Sequence, residues 1–562
     1  MTIIANGTII DGTGRPAFPG DVAVEGDRIA DIVPGGIAAK GDAQVVDASG
    51  CLVTPGFVDA HAHSDAYLVL EPDAPSKLSQ GITTEINGQC GGSAAPRYGE
   101  ARLSSDWASL LGERLTWRSF AEYRAMVEAA HPAVNTAVFV GHNTLRSSTM
   151  GYAPRAATPE ELGRMSRLLE ESLDAGAWGL TTGLIYQPGR YSTPDEVVAL
   201  AKVAAARGGY YATHMRSEGD AILEAIDEVL DLVRATGIRA EISHLKTSGE
   251  RNWHKIDAVL EKMQSAVDEG LLLGSDRYPY CAAGTDLDIV LPDWAQAGGA
   301  PAEMERLADP AQRARIVAEL DESGRDWSQV MIGGAWHPDT RPLCGLTVAE
   351  ILSQLPAPNS KLPPSLLTEL WRTSQAPSPN HPTTEPPAPS TKHQAPSTKH
   401  QSPGSLICHI LELDRCRTGA FFFGMSEANL DLILARDWIV PGSDASLRAP
   451  WGPLGADHPH PRAYGTMPGF YHRLRSLGIS REAAVARMTS VPARRFGLRS
   501  RGVLEQGAFA DIVVWNEAEF RSPATYTDPH RFAEGMRHVF VNGSISDLSS
   551  PARRNAGRFL SR

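Results

Sequence analysis

Two histidines, His61 and His63, stand two residues apart in Thr54-Pro-Gly-Phe-Val-Asp-Ala-His61-Ala-His63-Ser-Asp65, directly after an apolar run that starts at Cys51. In a β-strand this spacing turns both imidazoles to one face, and at the carboxyl end of a parallel strand they aim at one point. A bare HxH is as easily an ordinary polar strand end, so it needs partners. Ala212-Thr-His214, Ile242-Ser-His244 and Val440-Pro-Gly-Ser-Asp444 each place one further candidate after a short strand-like run, and Ile86-Asn-Gly-Gln-Cys90-Gly-Gly-Ser puts a cysteine in a Gly-rich turn. Taken singly, such residues are more often packing residues than ligands. Taken together, four histidines, one aspartate and one thiolate able to bridge are the ligand inventory of a one- or two-metal hydrolase site.

The joint reading rests on the elements that carry these residues. Ile82-Thr-Thr-Glu-Ile, Thr136-Ala-Val-Phe-Val, Gly179-Leu-Thr-Thr, Tyr210-Tyr-Ala-Thr-His214, Arg239-Ala-Glu-Ile and Leu271-Leu-Leu-Gly-Ser-Asp276 read as strands. They alternate with amphipathic stretches at Pro159 to Ala175, Pro194 to Ala206 and Ala221 to Thr236, and a last helix is expected from Ser480 to Phe496. Thr158 and Thr193, each followed by proline and then acids, are capping residues for two of these helices. Repeated βα alternation implies a parallel sheet, and the number of units favours a closed (β/α)8 TIM-like barrel over residues 55–496. Every candidate ligand then falls at a strand end, where side chains converge.

Residues 1–54 and 497–548 read as short strands separated by Gly- and Asn-rich turns, so the fold class is α/β with a small β-sandwich formed by both chain termini and the barrel inserted between them. Residues 549–562 form a tail. An irregular insertion of about 285–350 is expected as a lid or subdomain. Residues 356–404 are rich in Pro, Ser, Thr and His and contain the direct repeat Ala388-Pro-Ser-Thr-Lys-His-Gln, Ala395-Pro-Ser-Thr-Lys-His-Gln; such a tract has too little apolar surface to offset ordering entropy and is expected to be disordered.

Composition narrows the function classes. Of 562 residues 42% are hydrophobic and 21% charged, as in soluble globular proteins. A net charge of -13 argues against a nucleic-acid partner. No apolar stretch approaches the ~18 residues of a membrane span, and the amino terminus lacks a signal peptide, so no membrane partner and a cytoplasmic location are expected. Six sparse cysteines suit free thiols in a reducing compartment.

The order Pro-Gly-Phe-Val-Asp-Ala-His-Ala-His, strand-end histidines, then Gly-Ser-Asp resembles the amidohydrolase superfamily. Within it, Gln80-Gly-Ile-Thr-Thr-Glu-Ile-Asn-Gly-Gln-Cys90-Gly, Phe423-Gly-Met-Ser-Glu-Ala-Asn-Leu and His458-Pro-His-Pro-Arg462-Ala-Tyr-Gly-Thr resemble the N-acyl-D-amino-acid deacylase (D-aminoacylase) branch. The resemblance implies that Cys90, His214 and His244 hold one tight Zn2+, with the thiolate where many relatives use a carbamylated lysine or a glutamate. It implies a second, weaker site at His61, His63 and Asp444 that the working enzyme can leave empty. Arg462 and Lys246, joined by Tyr186 and Tyr278, are implied as substrate-binding residues, a guanidinium being suited to grip the free carboxylate of an N-acyl amino acid. One departure is Cys281-Ala-Ala-Gly-Thr285, which has Gly284 where the family often has a serine.

The implied reaction is hydrolysis of an N-acyl-D-amino acid to a carboxylate and a free D-amino acid, with Asp444 as general base and acid. Cyclic amide hydrolysis, as in hydantoinases and dihydroorotases, is the alternative on the same fold; it usually needs a bridging carbamylated lysine, and the segment Gly179 to Tyr186 has none. A non-catalytic assembly protein is a third reading, disfavoured because all six ligand positions are filled.

Overall fold

The computed structural model describes residues 1–36, 43–101, 105–354, 402–550 and 553–562. Two compact units form, one from Met1–Cys281 with Gly424–Arg562 and one from Ala282–Phe423.

The first unit contains eight short barrel strands: β1 Phe57–Asp59, β2 Ile82–Asn87, β3 Asn135–Val138 with its continuation Val140–Gly141, β4 Gly179–Gly183, β5 Tyr210–His214, β6 Arg239–Ile242, β7 Leu273–Arg277 and β8 Ile439–Pro441. Each pairs in parallel with the next from β1 to β8. The ring closes where Ala60 N donates to Pro441 O at 3.0 Å and Asp444 N donates to His61 O at 2.8 Å. The strands are nearly all buried, as expected for a parallel sheet covered by helices.

Local sequence explains the covering helices. Thr158 accepts from Glu161 N at the head of Pro159–Asp174 while Glu161 returns the bond, a complete capping box. The helix Ile222–Thr236 buries Ile222, Ile226, Val229 and Val233, one stripe at helical spacing, and stops at Gly237 with φ 66°. The single helix expected from Ser480 to Phe496 is instead two, Arg481–Met488 and Ser490–Arg495, divided at Thr489. Pro492 is the cause: it has no N–H, and its ring would clash with the carbonyl of Met488 in a continuous helix.

Both ends of the chain enter one eight-stranded sheet. Ile512–Trp515 runs antiparallel to Leu52–Pro55, with Val513 opposite Thr54 and Val514 opposite Val53. Ile4, Val22, Val53, Ile512 and Phe540 make its apolar cluster. Leu52–Pro55 then leads directly into β1, which couples the register of this sheet to the strand bearing the paired histidines.

The second unit holds three antiparallel strands, Ala283–Asp286, Gly419–Phe422 and Val330–Ile332, and helices including Ala300–Ala308, Pro310–Asp321 and Pro403–Asp414 around Leu287, Ile316, Leu320, Leu406 and Leu411. Residues 285–350, expected to be irregular, are thus largely in regular elements. Of the tract 356–404, residues 356–401 lie outside the described residues, and Ser402 caps the helix that starts at Pro403. Among the described residues no helix is long and apolar enough to cross a membrane.

One buried ion-pair network ties the barrel's seam. Lys77 is fully buried, and its Nζ lies 2.9 Å from Asp59 Oδ2, 2.9 Å from Glu85 Oε1, 3.1 Å from Ser443 Oγ and 3.0 Å from Ala445 O. Burial alone would push the ammonium down, but the two carboxylates hold it above its ordinary value. Lys77→Met strands both carboxylates in the interior and is expected to cost about 3–5 kcal/mol, measured by urea unfolding. A loss below ~1 kcal/mol would contradict this reading of the network.

Candidate metal centre

All six expected ligands reach the carboxyl end of the barrel. His61 and His63 follow β1, Cys90 follows β2, His214 ends β5, His244 follows β6 and Asp444 follows β8. Their ligand atoms form two groups, His61, His63, Cys90 and Asp444, and Cys90, His214 and His244, each mutually within 4.8 Å. Cys90 belongs to both. Its Sγ lies 3.3 Å from His61 Nε2 and 3.4 Å from His244 Nε2, while Asp444 Oδ1 lies 3.0 Å from His63 Nε2 and 3.3 Å from His61 Nε2.

Three observations fit this donor set to a metal ion. His214 is 5% exposed and neither ring nitrogen makes a hydrogen bond within the protein, although buried imidazoles normally find partners. Cys90, His244 and Asp444 all take left-handed backbone angles, φ 52°, 38° and 48°, a conformation that side chains adopt at a cost and that concentrates at functional sites. Thiolate sulfur, imidazole nitrogen and carboxylate oxygen are the donors that zinc-type ions take. Burial pushes the Cys90 thiol up, but the His61 and His244 charges pull it well below its usual value, toward the thiolate that binds metal.

A second layer, not singled out by the sequence, orients the first. Asp276, at the end of β7, places Oδ2 3.2 Å from His61 Nδ1 and accepts His244 N at 3.0 Å. Glu218 Oε1 lies 2.9 Å from His244 Nδ1, and its Oε2 lies 3.6 Å from His214 Nε2. Burial raises the Glu218 carboxyl, yet His214, Lys246 and His244 hold it well below the usual range. Carboxylates behind metal-binding histidines in this way fix the ring orientation. Glu218 is four residues past His214 but outside any helix, so spacing gave no signal.

The expected substrate-binding residues lie on the same side. Arg462 Nη1 is 2.8 Å from Asp444 Oδ2, and its guanidinium carbon is 4.7 Å from the centre of the Tyr278 ring. Burial raises Asp444, but Arg462 and His244 hold it well below the usual carboxylate range. The Tyr278 hydroxyl is buried without a hydrogen-bond partner, and the Tyr186 ring meets His214 edge-on at 4.8 Å. Lys246 lies in the layer behind the histidines: its ammonium donates to Glu218 Oε1 at 2.5 Å and to His244 O at 3.0 Å. His142 pairs with buried Glu196 at 2.8 Å, beside Arg146, and supports the wall of the barrel.

Eight parallel strands with thiol, imidazole and carboxylate converging at their carboxyl ends are the architecture of a barrel-type metal-dependent hydrolase. Residues 44–337 and 421–546 match the model of the amidohydrolase family, and the chain belongs to that family. It is 33% identical to an N-acyl-D-glutamate deacylase of Alcaligenes xylosoxydans xylosoxydans over all of this chain and 96% of the relative. It is also 33% identical to a D-aminoacylase of the same organism, over all of this chain and 97% of the relative. Among solved structures, an N-acyl-D-glutamate deacylase from Bordetella bronchiseptica, in complex with zinc and a phosphonate mimic of the tetrahedral intermediate, superposes with a TM-score of 0.78 at 30% identity, covering 100% of this chain and 99% of that one.

Neutralising the carboxylate behind His244, by Glu218→Gln, is expected to weaken metal retention roughly 10- to 100-fold. Competition with a graded series of chelators, read as bound metal per chain, checks it; unchanged retention would remove Glu218 from this supporting layer.

Proposed function

We propose that this protein is a zinc-dependent deacylase that hydrolyses the amide bond of N-acyl-D-amino acids, releasing a carboxylate and a free D-amino acid. The observation that carries this reading is that one thiol, Cys90, stands in both groups of candidate ligand atoms. A carbamylated lysine has no counterpart there: β4 offers no lysine, and a Cβ on Gly183 would lie 2.1 Å from Cys90 O. Cyclic amide hydrolysis is disfavoured by that feature, and a non-catalytic assembly role by the complete donor set.

In this proposal Cys90, His214 and His244 hold the tight zinc ion, and His61, His63 and Asp444 a weaker one that activity does not require. A weak second site agrees with the Arg462 guanidinium already neutralising Asp444. Zinc held there would supply an activated water as nucleophile near neutral pH and would polarise the amide carbonyl. Asp444 accepts the proton of the attacking water and returns it to the departing nitrogen, which must be protonated to leave. Arg462 grips the α-carboxylate with two parallel N–H bonds. The Tyr278 hydroxyl donates to a substrate oxygen, and Tyr186 packs at the His214 side. Lys246 keeps Glu218 against His244 and contributes positive charge near the bound anion.

By the same reading the eight-stranded sheet folds over its own apolar cluster as a small sandwich beside the barrel. Six free cysteines support a cytoplasmic, reducing setting. The net charge of -13 supports a small-molecule partner and no nucleic acid or membrane.

Purified protein is expected to retain zinc through dialysis and to release amine from N-acetyl-D-amino acids and not from their L forms. Metal without turnover of either enantiomer, across neutral and acidic side chains, would overturn the proposal. Asp444→Asn is expected to lower kcat about 10²- to 10⁴-fold while zinc at the Cys90 site stays bound, measured by parallel kinetics and metal analysis.

A further inference from the structure

We infer that the preferred substrate carries a second carboxylate, on the side chain of the D-amino acid, and that Arg277 receives it. This rests on the deacylase reading above and narrows it to acidic substrates such as N-acyl-D-glutamate and N-acyl-D-aspartate.

Arg277, the last residue of β7, is 1% exposed. Its Nη2 donates to Tyr280 O at 2.9 Å and lies 2.9 Å from Met425 Sδ, but Nε and Nη1 have no hydrogen-bond partner. Among the described residues no carboxylate pairs with it. Other deeply buried arginines are matched: Arg146 meets Glu196 at 2.6 Å, Arg462 meets Asp444 at 2.8 Å, and Arg501 pairs with Asp511. Arg487 has the charge of Asp437 near it and donates to the carbonyls of Leu434 and Ile439. A guanidinium shut from water without a counterion is costly, and an arriving anion removes that cost.

Its position fits an anion of the substrate. The Arg277 guanidinium carbon lies 4.1 Å from the centre of the Tyr278 ring, and that of Arg462 lies 4.7 Å from the same centre. Burial raises the Tyr278 phenol, yet the charges of Lys246, Arg277 and Arg462 bring it below its ordinary value, so all three cations act on one spot. Two guanidinium groups bordering one buried phenol can separately receive two carboxylates a few bonds apart, which is the chemistry of an acidic N-acyl amino acid. A neutral side chain in that place leaves Arg277 uncompensated, which penalises the wrong substrate as well as favouring the right one.

The test compares kcat/KM of the wild-type enzyme on N-acetyl-D-glutamate, N-acetyl-D-aspartate and N-acetyl-D-methionine, then of Arg277→Met and Arg277→Lys. The wild type is expected to favour an acidic substrate over methionine by at least ~10-fold. In Arg277→Met that preference ratio should fall on the order of 100-fold, mainly through KM, and Arg277→Lys should keep part of it. Equal or better hydrolysis of the methionine substrate by the wild type overturns this inference and leaves the deacylase reading standing. Turnover of none of the three overturns the deacylase reading and this inference with it. The wild-type comparison decides even where Arg277→Met does not fold. Equal loss on all three substrates in folded variants reduces Arg277 to a structural stack and overturns the inference.

Discussion

The Lys77 ammonium lies between the first, second and last strands of the barrel, held by Asp59, Glu85, Ser443 and Ala445. Each contact is adjacent to a ligand-bearing segment. Asp59 is two residues before His61, Glu85 lies in the strand that leads to Cys90, and Ser443 and Ala445 bracket Asp444. Asp59 works in the same sense, since its Oδ1 accepts Ser443 N at 2.8 Å and lies 3.3 Å from His61 N. A buried ion pair of this kind adds little net stability over apolar packing. What it supplies is position: a cation with several fixed acceptors cannot be satisfied unless the three strand ends sit in one arrangement.

That arrangement has to hold a strained backbone. Left-handed angles at Cys90, His244 and Asp444 cost on the order of 1–3 kcal/mol each and persist only where neighbours over-determine them. For Cys90 the neighbour is Asp65, which accepts Gly88 N at 3.0 Å and Ala94 N at 3.3 Å and so clamps both ends of the cysteine loop. For His244 it is Asp276, bound to the backbone N. For Asp444 it is His61 O, through the bond that also closes the barrel. The acids of the second layer therefore act on main chain and ring together, fixing where each donor atom can be.

How much of this the sequence disclosed depends on the kind of information each feature needs. His61, His63, Cys90, His214, His244 and Asp444 could be read as a set because each combines a telling residue type with a place after a strand, and the strands follow from local pattern. Asp276 ended a recognised run, but an acid at a strand end carries no mark of its partner. Lys77, Asp59 and Glu85 look like ordinary surface charges in one dimension, and the contact of Lys77 with Ser443 spans 366 positions. Lys246 was visible, but which acceptors enclose its ammonium is a matter of packing. The break at Thr489 was legible in Pro492, whose missing N–H outweighs the helical pattern around it.

In the proposed site, a thiol standing where a lysine-borne bridge could stand is not a single exchange of side chains. For Cys90 to reach both groups of ligands, its own main chain must descend onto the ends of β3 and β4. There a Cβ on Gly141 would meet Gly91 O at 2.2 Å and one on Gly183 would meet Cys90 O at 2.1 Å. Contacts that short do not occur, so the loop could not occupy this place over any other residue at either position. A lysine at Gly183 and a cysteine loop pressed onto that residue are therefore mutually exclusive. The small residues Gly141 and Gly183 on β3 and β4, and not the cysteine alone, are what let the Cys90 thiol stand in both groups of candidate ligand atoms.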